Sequence, residues 1–264
     1  MGIFATPSGE YFDGPNHAVL QTIGAHFPTL IIEWDQAPEL FWVFRLAEGW
    51  GNRHGSWSAM PAADWQRDPE ARLGYTDARV AFEEEFAEPL VASLSTTIAG
   101  DELRWSIALR NDADTRQEDC WAHLCLTHRW AQAFQANCEL PTGTGDDPYQ
   151  TAAALPARNR IARWIKSCAV RGRLDLAARI GRTINPNGYQ EGIAAAHGTV
   201  RAWRVHEHGT WQSIELHSPD AFLLAWSHWP CTDMTVYLGT LEPGAESTAT
   251  GTLRFSETRF EIAV

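Results

Sequence analysis

LVASLSTTIAGDELRWSIALRN, Leu90 to Asn111, is the stretch whose reading decides the fold. Leu90, Ala92, Leu94, Thr96 and Ile98 alternate with smaller or polar residues, Gly100-Asp101 supplies a turn, and Leu103, Trp105, Ile107 and Leu109 alternate with Arg104, Ser106 and Arg110. In a strand successive side chains point to opposite faces, so this pattern predicts a β-hairpin with one buried face. The same period returns at Val200 to Val205, Thr210 to His217, Ala221 to Trp229 and Thr248 to Phe255. Leu40 to Leu46 reads as a buried strand that ends at the glycines of GWGNRHG, Gly49 to Gly55. Pro61, Pro69 and Gly74 break any regular period between Ser56 and Thr76, which reads as a long surface connection.

No composition break or internal repeat divides these segments. The expectation is an all-β chain forming one domain over residues 1–264, a two-sheet antiparallel β-sandwich. A partly helical basic insert around 150–195 interrupts it. Between Arg158 and Arg182 seven arginines and Lys166 face one acid, Asp175, and Leu176, Ile180 and Ile184 recur at four-residue spacing. Such a segment docks on an acidic body through weak ion pairs, or recognises carboxylate or sulfate groups through arginine forks.

The chain carries 33 acidic and 21 basic residues, a net charge of −12. That balance keeps it in solution and excludes nucleic acid and anionic membranes as its general partners. No apolar run approaches the roughly 18 residues of a membrane span. Five cysteines without a CxxC pair, and no secretory signature at the start, point to a reduced cytoplasmic setting. Thirteen tryptophans are spread from Trp34 to Trp229. Many belong to a core, but side chains of this kind also stack on sugar rings, which turns the composition toward a carbohydrate ligand.

The stretch densest in reactive side chains is DCWAHLCLTHRWAQAF, Asp119 to Phe134. As a strand it puts Trp121, His123, Cys125 and Thr127 on one face and Ala122, Leu124 and Leu126 on the other, which is the core face. His123 is then the candidate for proton transfer, because an imidazole changes charge near neutral pH. The plainer reading makes it a hydrogen-bonded structural histidine. His128 has the opposite parity and reaches the same cleft only if the chain bulges after Thr127. A proton-transfer pair needs a second group, and Glu215, sharing a face with Ser213 and His217, is the candidate base. Two other constellations compete with this one. His206, His208 and His217 could form a cupin-like metal face, and Cys125 could act as a thiolate beside His123. The leading reading needs no cofactor and no metal ligand.

The hairpin TIAGDELRWSIALRN, Thr97 to Asn111, the His-bearing strand after it, and the closing LEPGAESTATGTLRF, Leu241 to Phe255, together resemble the galactose mutarotase-like supersandwich. That is the fold of aldose epimerases and of domains in many polysaccharide lyases and glycosidases. In aldose epimerases an Asn-Arg pair follows an early glycine-rich loop, and a later strand carries a histidine near an aromatic. Asn52-Arg53, and His123 or His128 followed by Trp130, are similar in order. The resemblance implies a protein that acts on a free sugar or sugar acid by acid/base proton transfer. His123 or His128 would be the acid and Glu215 the base, Asn52 and Arg53 would grip hydroxyls, and Trp121 or Trp130 would stack on the ring. Three alternatives stand beside it: a non-catalytic sandwich that binds a saccharide or a protein, a uronate lyase, and the cupin-like metal enzyme.

Overall fold

A computed structural model describes residues 2–7, 29–52, 56–57, 66–67, 73–79, 90–128, 130–135, 138–141, 149–151, 190–194, 199–205, 210–227 and 231–259. Two antiparallel sheets account for nearly all of them. The first runs in the order β1 (Ile3–Pro7), β2 (Thr29–Trp34), β3 (Phe41–Gly51), β9 (Gln117–Thr127), β16 (Cys231–Leu241), β15 (Ala221–Ser227), β12 (Gln190–Ala194), with β4 (Ser56–Trp57) paired to the far end of β3. The second runs β11 (Tyr149–Thr151), β10 (Cys138–Pro141), β13 (Thr199–Val205), β14 (Thr210–His217), β17 (Glu246–Arg259), β8 (Glu102–Asn111), β7 (Leu90–Ala99), β6 (Leu73–Arg79), β5 (Gln66–Arg67). A single helical turn, α1 (Gln132–Gln135), follows β9.

The predicted hairpin forms as read. β7 and β8 pair from Leu90↔Asn111 to Ala99↔Glu102, and Gly100 turns between them with φ of 61°, a conformation that costs glycine little. Its apolar positions all enter one core shared by both sheets, which draws on Leu94, Leu103, Trp105 and Ile107 from the second sheet and on Trp42, Phe44, Trp50, Ala122, Leu124 and Met234 from the first. Aromatic rings knit the layers together: Trp42 meets Phe134 edge-on at 5.5 Å and Phe255 at 5.0 Å between centroids. At one corner the buried Asn111 side chain donates to the carbonyls of Thr115 and Leu241, tying the end of β8 to the end of β16. At another, Arg204 donates to Gln212 and Glu39 and lies over the Phe134 ring.

Two sequence expectations are corrected, and one strand is new. β3 does not stop at Leu46, because a register shift between Arg45 and Gly49 absorbs an irregularity and lets the strand continue through Trp50 into the core. The segment read as a surface connection contains β4, β5 and β6, and β6 pairs with β7 from Leu73↔Thr96 to Arg79↔Val91. β16 was not anticipated as a strand, yet Met234, Val236 and Leu238 alternate inward along it. The basic insert lies outside the described residues except where β11 and β12 fall at its margins. Among the described residues no helix is long and apolar enough to cross a membrane.

The two outer faces differ in a way that directs attention to one of them. On the second sheet the outward residues Ser213, Glu215 and His217 are half-buried and Arg254 is exposed, with Arg254 bridging to Glu102 at 2.7 Å. That is an ordinary solvated face, and its ion pairs contribute little. On the first sheet most outward residues of β9 and β16 are buried although many are polar, while Phe41, Arg45 and Tyr237 are half-buried.

Gly251 on β17 faces Trp105 across the ladder, and a Cβ there would fall on the Trp105 ring and the His217 carbonyl oxygen. Gly251→Ala should therefore overpack the core and cost about 1–3 kcal/mol. A lowered urea midpoint with an unchanged slope is the expected result, and a wild-type midpoint would show that the ring yields freely.

Candidate functional site

β9 lies between β3 and β16, so each of its outward side chains has a defined neighbour on either side. Register sets Val43 beside Thr127, then Arg45–Cys125–Asp233 in one row, Gly49–His123–Thr235 in the next, and Gly51–Trp121–Tyr237 beyond. Rows on one strand face recur every second residue, so Cys125 to Trp121 spans about 13 Å along β9. Cys125, His123, Trp121, Asp233 and Thr235 are buried, and Arg45 and Tyr237 are half-buried. None of these side chains belongs to the shared core. A buried His, Asp, Thr and Cys with a flanking Arg, outside the core of a sheet, is the kind of cluster that desolvation makes costly unless its groups have partners.

Part of the hydrogen bonding is visible. The His123 Nδ1 and the Thr235 hydroxyl lie 2.9 Å apart, which anchors one ring nitrogen and fixes the ring's orientation. The Cys125 thiol lies 3.6 Å from the Thr127 hydroxyl. Tyr237 donates its hydroxyl to Asp119 at 2.9 Å, and Asp119 holds φ of 57°, a left-handed backbone unusual outside glycine. Asn52 donates to Gln117 at 2.7 Å in a buried pair. The Trp121 indole lies where a Cβ on Gly51 would stand, so only glycine fits opposite it. At the other end of the face Trp130 stacks on Phe41 at 4.9 Å and 21°, packed with Ile31 and Val43. Aromatic groups thus stand at both ends of a polar middle.

Of the residues expected to form the site, His123 and Trp121 share this face, Trp130 lies at one end of it, and Asn52 follows directly on Gly51. Arg53 lies outside the described residues, as do His206 and His208. His217 is on the second sheet with its Nδ1 2.8 Å from the Thr199 hydroxyl. Glu215 is not brought to His123. It alternates with the core residues Ile214 and Leu216 and points outward from β14, so the two sheets and the core between them separate it from the imidazole. His128 is not brought there either. Its Nε2 lies 2.8 Å from the hydroxyl of Thr232, whose register partner Leu126 is a core residue, so the chain keeps its parity after Thr127 and this imidazole sits on the inner side. The carboxylate that does share the face is Asp233, diagonal to His123 across the β9–β16 ladder. Asp233, Thr235, Tyr237 and Arg45 were missed by sequence reasoning. Reading Met234, Val236 and Leu238 as one face of a strand would have turned Asp233, Thr235 and Tyr237 toward the histidine's side.

No protein-family model matches the sequence, and no curated protein matches it. Solved structures are similar to it. The galactose mutarotase related enzyme of Lactobacillus acidophilus aligns over 91% of this chain and 92% of its own, at 11% identity and a TM-score of 0.41. A galactose mutarotase-like protein of Lactobacillus casei aligns over 86% of this chain and 97% of its own, at 9% identity and a TM-score of 0.42. A human-microbiome protein provisionally named a kojibiose phosphorylase aligns over 83% of this chain, which spans only 23% of that protein's length, at 9% identity and a TM-score of 0.40. A likeness this loose bears on neither substrate nor residue roles.

Burial alone pushes the His128 imidazole down to about 4 from an ordinary 6.5, and its Nδ1 has no hydrogen-bond partner. The folded state thus holds this ring neutral where the unfolded chain would protonate it. Its contribution is fully present above about pH 6.5 and is lost as pH falls toward 4, on the order of 3 kcal/mol at most. His128→Gln should keep the Thr232 bond and flatten that part of the stability profile. Urea unfolding at about pH 7 and about pH 4.5 measures it, and parallel profiles for variant and wild type would remove His128 from the acid response.

Proposed function

We propose that the chain is a carbohydrate-active protein that takes a free sugar or sugar acid on the outer face of its first sheet and moves protons on it. His123 serves as one acid/base group and Asp233 as the other. The observation that carries this reading is the placement of an oriented imidazole and a carboxylate on neighbouring strands of one desolvated sheet face, flanked by Trp121 and Trp130. Ring opening or epimerisation of a sugar needs one group to give a proton while another takes one, and an imidazole and a carboxylate diagonal to each other across the β9–β16 ladder supply that pairing. Thr235 holds the imidazole in register, and the aromatic ends suit the apolar faces of a sugar ring. This is the class of activity that the sequence resemblance implies, with Asp233 in the role that Glu215 is too distant to fill.

Anomeric exchange followed by polarimetry or NMR over a panel of free sugars tests it. His123→Ala and Asp233→Asn should each lower the catalysed rate by at least about a hundredfold, with folding verified by unfolding curves. A sugar that binds with no exchange above the uncatalysed rate in the wild type would assign the chain to the non-catalytic binders. Exchange unaffected by either substitution would move the chemistry elsewhere in the molecule.

A further inference from the structure

The rows on the outer face place one fixed positive charge against the candidate site. Among the described residues of the first sheet's strands Arg45 is the one arginine or lysine, in a chain whose net charge is −12. It stands beside Cys125, the shortest side chain of its row, with Asp233 on the far side and His123 two residues along β9. Its Nε is buried and the residue as a whole is half-buried. Adjacent strands are about 4.8 Å apart, so an arginine side chain is long enough to bring its guanidinium over β9 and alongside the imidazole. A guanidinium stays charged at any working pH, and its planar fork matches a carboxylate through two parallel hydrogen bonds. An acidic protein repels an anion at long range, so recognition of one requires a local cation of this kind.

We infer that the substrate is a sugar acid, and that Arg45 is the specificity-determining residue that grips its carboxylate while His123 and Asp233 act at the ring. The inference rests on the function proposed above and narrows its substrate class. A carboxylate fits better than a phosphate ester, because a phosphate carries more than one charge near neutral pH. Among the described residues the row offers one cation, and the Asp233 carboxylate in the same row repels a dianion more strongly than a single negative charge.

The test compares matched substrates that differ only at one carbon: glucose with glucuronate and with glucose 6-phosphate, and galactose with galacturonate. Anomeric exchange is measured for the wild type, R45Q and R45K. The wild type should favour the acid over the neutral sugar by about tenfold or more in kcat/KM. R45Q should lose about 10- to 100-fold on the acid, chiefly through KM, and lose much less on the neutral sugar. R45K keeps the charge without the fork and should retain a reduced preference for the acid, which covers the case in which R45Q does not fold. Equal service of acid and neutral sugar by the wild type overturns the assignment and leaves the proposed function standing, as does a preference for the phosphate. A loss in R45Q that falls equally on both sugars also overturns it, by making Arg45 a support of the sheet. Absence of exchange with every sugar overturns the proposed function itself, and the substrate class falls with it.

Discussion

The register of β9 between β3 and β16 is the constraint on which the rest depends. Because the side-chain period of a strand is two, a slip by one residue would send Trp121, His123 and Cys125 into the core and expel Ala122, Leu124 and Leu126. The hydrophobic set on β9 permits only one choice, and both neighbours agree with it, since Trp50 and Met234 face inward at the positions paired with Ala122 and Leu124. Irregularities are confined to places where they do not disturb this agreement. The shift between Arg45 and Gly49 and those on either side of Gly239 bracket the rows that hold His123 and Thr235.

That register leaves the centre of the first sheet, around β9, largely buried on both faces for different reasons. The inner face is apolar and aromatic and supplies the hydrophobic free energy of folding. On the outer face polar side chains are bound in pairs, His123 with Thr235 and Tyr237 with Asp119. Such pairing limits the cost of desolvating polar groups and also immobilises them. Asp119 accepts a left-handed backbone beside this network, a conformation a non-glycine residue holds only when its surroundings determine it. A face of this kind is expensive to build for stability alone, which is why the site is sought there and not on the solvated outer face of the second sheet.

The two histidines of the central stretch show how closely parity governs role. His123 and His128 lie five residues apart, an odd number, so with the strand's alternation kept they face opposite ways. One joins the polar rows. The other is enclosed beside Thr232, where a neutral ring is favoured and protonation opposes folding. Glu215 is excluded by the same logic on a larger scale. It alternates correctly on its own strand, but that strand belongs to the other layer.

By itself the sequence determined the class of architecture, the β7–β8 hairpin with its turn at Gly100, and the division of β9 into a core face and a reactive face. These follow from local alternation and turn chemistry, which act between residues close in the chain. It also held the pattern of β16, unread because Thr232, Asp233 and Thr235 dilute the apolar signal of Met234 and Val236. Only the tertiary structure decided which sheet each strand joins, and therefore that Asp233 and Arg45, not Glu215, share a face with His123. Strand partnership is a long-range choice, made by whole faces competing for one core, and no spacing along the chain records it.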